Sequence, residues 1–151
     1  MATKKKQGET HMAPEITNNP DRLDDAVELC TVKPGEYKVR FLGATSGVNK
    51  NGGDYYQARL EVDNDPYIKD FTYYLGLPSG YMDAKQMNNA KMNIKDFCLA
   101  FGVNPPSSLD EFKSLMESGD LVGMTAWAVL TEKDSDEYGM QNNVKRFTKP
   151  V

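Results

Sequence analysis

The chain has 151 residues, of which 39% are hydrophobic and 10% aromatic, and its formal net charge is −4 at pH 7. This length fits one domain with a proper core, and the negative charge excludes a strongly basic protein while permitting a local basic stripe. No N-terminal apolar run resembles a signal peptide, and no segment has the roughly 18 consecutive apolar residues of a membrane span, so we expect a cytoplasmic protein.

The N-terminal segment differs in composition from the rest of the chain. Residues 1–20 are polar, charged and interrupted by proline, which is typical of a flexible tail. Residues 21–151 then form a single domain. Its first stretch, 21–29, fits a short acidic helix with Leu23 and Val27 on the inner side.

Alternation of apolar and polar residues predicts three strands in the first half of the chain. The first covers residues 36–44, where Lys38 and Arg40 alternate with apolar side chains. A loop rich in glycine and asparagine leads to the second strand at residues 55–62. A turn then precedes the third strand at residues 67–75, which is dense in β-formers.

Helical periodicity replaces this alternation in the following segment. A helix is predicted by apolar residues that recur at spacings of three and four: Met87, Ala90, Ile94, Phe97, Cys98 and Phe101. It is expected to end at Gly102. A second, short helix is predicted between the N-cap Ser108, with Glu111 three residues later, and the stop signal Gly119.

Two further strands complete the prediction. They cover residues 121–133 and 140–150 and are joined by the hairpin turn "DSDEYG". Trp127 lies between two alanines in the first of them, and we interpret its indole as part of the core rather than as an exposed platform.

The order of three strands, a helical insertion and two strands is that of an OB-fold, a five-stranded Greek-key barrel. The predicted fold class is therefore mainly β, an OB-like barrel with helices between strands three and four. The same spacing also fits an open sheet or a small sandwich.

An OB-fold binds ligands on strands two and three, between the loop joining strands one and two and the loop joining strands four and five. Tyrosines and cations occupy these regions here. Bases stack on such rings for roughly 1–3 kcal/mol each, while cations follow the phosphates of a single strand. The candidate DNA-binding residues are Lys38, Arg40, Lys50, Tyr55, Arg59, Lys69, Tyr73, Tyr74, Tyr138, Lys145 and Arg146.

The facing of strand three is ambiguous. Tyr74 is the preferred stacking ring, because alternation places it beside the polar Asp70 and Thr72. The same alternation places Lys69 on the side of Tyr73, so Lys69 and Tyr74 cannot both lie in one groove. Each of these tyrosines also fits an ordinary strand residue, and the pattern alone equally fits an OB-fold that binds protein or sugar.

Few residues are available for catalysis or metal binding. His11 is the only histidine, and Cys30 and Cys98 are the only cysteines, which is too few for a tetrahedral zinc site. Both cysteines are expected to be reduced thiols, and Cys98 to be buried. No phosphate-binding glycine motif and no nucleophile elbow is present. The sequence predicts no catalytic residue, metal or cofactor, although a carboxylate pair among its 22 acidic residues stays open.

Several segments, in their order and spacing over 32–149, resemble a family of bacteriophage single-stranded-DNA-binding proteins long catalogued as a domain of unknown function. They are "VKPGEYKVRFLGA", "YYQARLEV", "FTYYLGL", "NNAKMNIKDFCLAFGV" and, with most weight, "LVGMTAWAVLTEKDSDEYGMQNNVKRF". The resemblance implies an OB-type fold and sequence-independent binding of single-stranded DNA during phage DNA replication, recombination or repair in the host cytoplasm.

The partners expected from this resemblance are single-stranded DNA and phage or host replication and recombination proteins, and a homo-oligomer stays open. Two other functions remain as alternatives. One is an OB-like module of a phage that binds another protein. The other is a small nuclease, which would need clustered carboxylates and Mg²⁺.

Overall fold

The computed structural model describes residues 20–148, which form a mainly β fold with two helices. The strands are β1 (Gly35–Val48), β2 (Asp54–Val62), β3 (Phe71–Gly76), β4 (Thr125–Ser135) and β5 (Gly139–Phe147), and the helices are α1 (Ala84–Ala100) and α2 (Leu109–Ser118). Apart from Pro20, the predicted N-terminal tail lies outside the described residues, as does the end of the last predicted strand. Within 20–148, neither helix has the length and apolarity to cross a membrane.

All five strands belong to one antiparallel sheet with the order β3-β2-β1-β4-β5. The central β1 pairs with β2 on one side and with β4 on the other. In the described part of the chain no strand pairing joins the edges β3 and β5, so the sheet is open. The edges nevertheless approach each other, because the rings of Tyr73 and Phe147 lie 5.0 Å apart. The predicted mainly β fold, with five strands and the helices between strands three and four, is confirmed. The strand order is consistent with an OB-like fold, but across residues 20–148 the sheet is open and not the closed barrel that the sequence predicted.

Helix α1 covers the opening between the two edge strands. The ring of Phe97 lies 6.2 Å from Phe41 of β1 and 5.7 Å from Phe147 of β5. The next turn adds Phe101, whose ring lies 6.0 Å from Phe41. Cys98 is fully buried in this cluster, and burial raises the pKa of its thiol to about 11. The aromatic cluster is therefore the centre of the core.

The predicted helix boundaries are confirmed by the backbone. α1 is followed by Gly102 at φ +78°, and α2 by Gly119 at φ +84°. These left-handed conformations favour glycine because it has no Cβ. At the start of α2, the side chain of Ser108 accepts a hydrogen bond from the backbone N–H of Glu111.

Four details of the secondary structure differ from prediction. β4 begins at Thr125 rather than at residue 121. Residues 21–29 do not form a helix: Leu23 is 81% exposed, and so short a helix is marginal in water without a packed apolar side. β1 extends to Val48, because β2 pairs with it up to Asp54. β3 begins at Phe71 rather than four residues earlier.

A short segment before β1 joins β5 to the chain that precedes β3. The side chain of the buried Asn142 accepts a hydrogen bond from Val32 N at 3.0 Å and donates one to Val32 O at 2.9 Å. Two residues before Val32, the backbone N–H of Cys30 donates a hydrogen bond to Tyr67 O, and Cys30 O accepts one from Lys69 N at 2.8 Å. This segment therefore ties together two parts of the sheet that do not pair directly.

Candidate nucleic-acid interface

One face of the sheet points away from the core. Strict alternation along β2 identifies the side chains of that strand that belong to this face. Tyr56, Ala58, Leu60 and Val62 are buried, so the residues between them point outward. On β3, Tyr74 lies opposite Gln57 and Thr72 lies opposite Arg59. We call this surface the outer face; it includes the side chains of β1 and β4 that share its orientation.

Three tyrosines gather at one end of the outer face. The ring centroids of Tyr55 and Tyr74 lie 5.0 Å apart with an interplanar angle of 34°, which is within the range of attractive aromatic pairs. Tyr81 joins them from the loop between β3 and α1. Asn49 Nδ2 donates to Tyr81 Oη at 3.3 Å and to Tyr74 Oη at 3.5 Å. We call Tyr55, Tyr74 and Tyr81 the tyrosine cluster; Tyr74 is 50% and Tyr81 47% exposed.

Glycines lie beneath two of these rings. A Cβ added at Gly47 would meet the ring of Tyr55 at 2.4 Å, and one added at Gly53 would meet the ring of Tyr81 at 2.7 Å. Both distances are too short for any side chain, so the absence of a Cβ lets the rings lie against the backbone. The cluster is therefore positioned before any ligand arrives, which lowers the entropic cost of binding.

The loop between β1 and β2 is held by one asparagine. Asn49 Oδ1 accepts hydrogen bonds from the backbone N–H groups of Asn51 and Gly53, both at 2.9 Å. Gly52 completes the turn at φ +83°. The exposed Lys50 stands in this ordered turn, and among the described residues it forms no ion pair.

Helix α2 supports the same hairpin from the inner side of the sheet. Tyr56 Oη donates to Glu117 Oε2 at 2.6 Å, and the rings of Tyr56 and Phe112 lie 6.1 Å apart, edge to face. Burial, followed by this contact with Glu117, raises the pKa of Tyr56. Because Tyr55 is the next residue along β2, the anchoring of Tyr56 also fixes the strand that carries the cluster.

The two arginines predicted for the site differ in availability. Arg59 has a side chain that is 59% exposed, with Nη1 3.5 Å from Asp70 Oδ2, an exposed pair that contributes little to stability. Arg40 is less exposed: its guanidinium binds Asp63, and Glu61 lies 4.0 Å away. Arg59, whose exposed pair with Asp70 is weak, is therefore more available to a ligand than Arg40, which is engaged within the protein.

The other predicted cations and Tyr138 lie apart from the tyrosine cluster. Lys69 Nζ donates to Met140 O at 3.0 Å, so its side chain reaches towards β5. Lys145 and Arg146 are exposed near the end of β5, and Tyr138 is 64% exposed at the tip of the β4–β5 hairpin. Across residues 20–148, no hydrogen bond, ion pair or ring contact joins these four to the cluster.

The two tyrosines of β3 face opposite sides. Tyr73 stacks on Phe97 at 6.1 Å and meets Phe147 edge-on; burial raises the pKa of its phenol. Tyr74 is exposed on the outer face, as its predicted stacking role requires, whereas Tyr73 lies on the core side rather than on the outer face. Lys69 precedes β3 and its side chain reaches towards β5, so Lys69 and Tyr74 do not lie in one groove.

The interpretation of Trp127 as a core residue is wrong. Its indole is 51% exposed, while Ala126 and Ala128 are buried on either side of it. Trp127 therefore points to the outer face, directly opposite Lys38 of β1. The alternation of the two alanines with Leu130 was the signal that indicated this orientation. Tyr81 was also missed, because a loop residue has no periodicity to reveal its position.

The arrangement offers exposed aromatic rings together with exposed cations. Within the described residues, no group of three or more His, Cys, Asp or Glu side chains is placed to hold a metal ion. A scan against protein-family models and a search of curated proteins found no match to this chain. The functional argument therefore depends on the geometry of the outer face.

Proposed function

We propose that the chain binds single-stranded DNA through the outer face, with little sequence preference. The observation that carries this proposal is the tyrosine cluster, in which half-exposed rings are held in place. Lys50 follows Asn49 in the adjoining loop, and Arg59 lies further along β2 on the same face. Every base has a π-face that stacks on such rings, so stacking tolerates any sequence. In a duplex the bases are stacked on each other and paired, so their faces are not available to the tyrosines.

Cations along the outer face supply the attraction for phosphates. Lys38, Lys50 and Arg59 are exposed on or beside the outer face, although the chain as a whole is acidic. Each phosphate that such a cation neutralises releases counterions, so the affinity must fall as salt increases. This local basic character is compatible with binding, whereas strong attraction to any nucleic acid would need an overall positive charge.

The role that follows is protective coating. A protein that stacks bases and neutralises phosphates removes hairpins from an exposed strand and keeps nucleases away, and it makes or breaks no bond. The resemblance of the segments within 32–149 to phage single-stranded-DNA-binding proteins supports a setting in phage replication, recombination or repair.

The test is a titration of the protein against two labelled DNAs, followed by fluorescence anisotropy at low and at moderate salt. One is an oligo-dT of about 30 nucleotides, longer than the roughly 4–16 nucleotides that one OB-fold covers; the other is a duplex of equal length. We expect binding to the single strand in preference to the duplex, weakening with salt. Absence of binding at low salt would overturn the proposal and favour a protein-binding module. Loss of intact DNA only when Mg²⁺ is added would favour the nuclease.

A further inference from the structure

Trp127 is an exposed aromatic ring on the outer face, but it lies outside the tyrosine cluster. It has no ring contact with another aromatic side chain in the part of the chain that the structure describes. Its backbone is fixed, because Trp127 O accepts a hydrogen bond from Thr148 N at 2.9 Å. Half of the indole is therefore presented to solvent from a rigid strand.

Cations flank this indole on both neighbouring strands. Lys38 of β1 lies directly opposite Trp127, where side chains of an antiparallel pair are in contact range. On the other side, Arg146 of β5 lies opposite Val129, which shares the outward orientation of Trp127. Both cations are exposed, and neither forms an ion pair within residues 20–148. Glu36, also opposite Val129, is the acidic residue of this patch.

The long strand β1 connects this patch to the tyrosine cluster. At the end with the tyrosine cluster, Thr45 of β1 lies opposite Gln57 of β2, which in turn lies opposite Tyr74 of β3. At the other end, Lys38 of β1 lies opposite Trp127 of β4. At roughly 3.3 Å per residue, the stretch of β1 from Lys38 to Thr45 spans about 23 Å.

The acidic side chains between the two ends each have an arginine beside them. Asp63 binds Arg40, and Glu61 lies near the same guanidinium. Asp70 pairs with Arg59. A phosphate backbone that crosses the outer face along β1 therefore meets carboxylates that are already partly neutralised.

We propose that Trp127, Lys38 and Arg146 form a second base-stacking position, and that one DNA strand extends from the tyrosine cluster along β1 to Trp127. The inference rests on the proposed function. Single-stranded DNA is the occupant that fits, because an isolated ring between two unpaired cations suits a base and its phosphates, and because the patch is continuous with the first position. The affinity should then rise steeply once an oligonucleotide is long enough to reach both positions.

The experiment uses the fact that Trp127 is the only tryptophan of the chain. The unmodified protein is titrated with labelled oligo-dT of about 4 to 16 nucleotides, the range covered by single OB-folds. Anisotropy of the label reports binding, and tryptophan emission reports contact with Trp127. We expect saturating amounts of the longer oligonucleotides to quench the emission.

Variants separate this position from the rest of the site. Trp127→Ala should lower the affinity for the longest oligonucleotide about fivefold to 150-fold, the equivalent of one lost stacking contact, and should flatten the rise of affinity with length. Trp127→Phe should restore part of the loss. Met92→Ala, which truncates an exposed apolar side chain of α1, should bind as the unmodified protein does.

The outcomes distinguish the two proposals. If oligonucleotides of every length saturate by anisotropy while tryptophan emission stays constant and Trp127→Ala binds normally, the second position is wrong and the proposed function stands. A change in the oligomeric state of Trp127→Ala with unaltered DNA binding would also overturn the second position. If no length binds, the proposed function itself fails. The emission readout needs no variant, so misfolding of Trp127→Ala cannot obscure the result.

Discussion

Tyr55 and Tyr74 meet diagonally across the β2–β3 pair, with ring centroids 5.0 Å apart, although neither is opposite the other. Their direct partners explain the contact: Tyr55 lies between Gly47 of β1 and Gly76 of β3. Diagonal neighbours in a sheet come within reach of aromatic side chains, and glycines on both sides leave room for the ring to lean. Two glycines thus determine where this stacking surface lies.

The glycine beneath Tyr55 can be tested with a matched pair of substitutions. Gly47→Ala places a Cβ 2.4 Å from the Tyr55 ring, so the ring must move, whereas a Cβ at Gly43 of the same strand meets nothing within 4 Å. We expect Gly47→Ala to weaken binding to oligo-dT several-fold and Gly43→Ala to leave it nearly unchanged, as measured by anisotropy. Equal affinities for the two variants would show that the position of Tyr55 does not matter for binding.

Tyr74 should contribute through its ring rather than through charge. Tyr74→Ala removes a stacking surface of roughly 1–3 kcal/mol, which corresponds to a loss of affinity of about fivefold to 150-fold. Because no phosphate contact is lost, the dependence of affinity on salt should keep its slope. Tyr74→Phe retains the ring and serves as the control. If the alanine variant binds with unaltered affinity while circular dichroism shows an intact fold, the stacking site is elsewhere.

Asn142 should be more important for stability than for binding. Its side chain satisfies the backbone N–H and C=O of Val32 and also donates to Thr131 O at 3.2 Å. Asn142→Ala leaves partly buried backbone groups without these partners, so we expect the free energy of unfolding to fall by about 1–3 kcal/mol.

The control for this prediction is the next residue. Asn143 is exposed, and Asn143→Ala should change the stability by no more than about 0.5 kcal/mol. Urea denaturation of both variants measures the difference. Equal midpoints for the two would mean that the segment before β1 does not stabilise the sheet.

The two thiols should differ in reactivity. Cys98 is fully buried and burial raises its pKa to about 11, whereas Cys30 is partly exposed; burial and the nearby Asp65 raise its pKa, against the opposite effect of Lys69. At about pH 8, iodoacetamide should label Cys30 first and Cys98 only after unfolding, since the thiolate is the reactive form. Rapid labelling of Cys98 in the native protein would contradict its place in the core.

The raised pKa of Cys98 also makes stability depend on pH. Its folded pKa lies above the ordinary value of 9.0, so the protonated thiol contributes stability that is fully present below pH 9 and is lost as pH rises towards about 11. Urea denaturation across this window should show a steeper loss of stability for the unmodified protein than for Cys98→Ala. Parallel curves would mean that this thiol does not titrate with folding.

Local sequence patterns were sufficient to predict most of the secondary structure and the outward orientation of the site residues on β2 and β3. Alternation with a period of two placed Tyr55 and Arg59 on the outer face, and alternation with Thr72 did the same for Tyr74. Helix ends at Gly102 and Gly119 were predictable because positive φ selects glycine.

Features that depend on distant parts of the chain were not predictable in this way. The segment 21–29 has helical periodicity but no surface to pack against, so it does not form a helix. Asn49 and Tyr81 come from different loops, and only the fold brings them within 3.3 Å of each other. Trp127 was misassigned because its size favours burial in general, whereas its orientation is set by the small alanines that occupy the inner face of β4.

The most direct test of the account is to map single-stranded DNA on the protein by nuclear magnetic resonance. The chemical shifts of the backbone amide groups of the isotope-labelled chain would be measured without DNA and with saturating oligo-dT, and the two sets compared. The account predicts that the shifts that change most lie at residues 45–59 and 72–81, around the tyrosine cluster, and that the buried side of α1 changes little. Shifts confined to other surfaces, or none at DNA concentrations that saturate binding by anisotropy, would contradict the assignment of the outer face as the binding site.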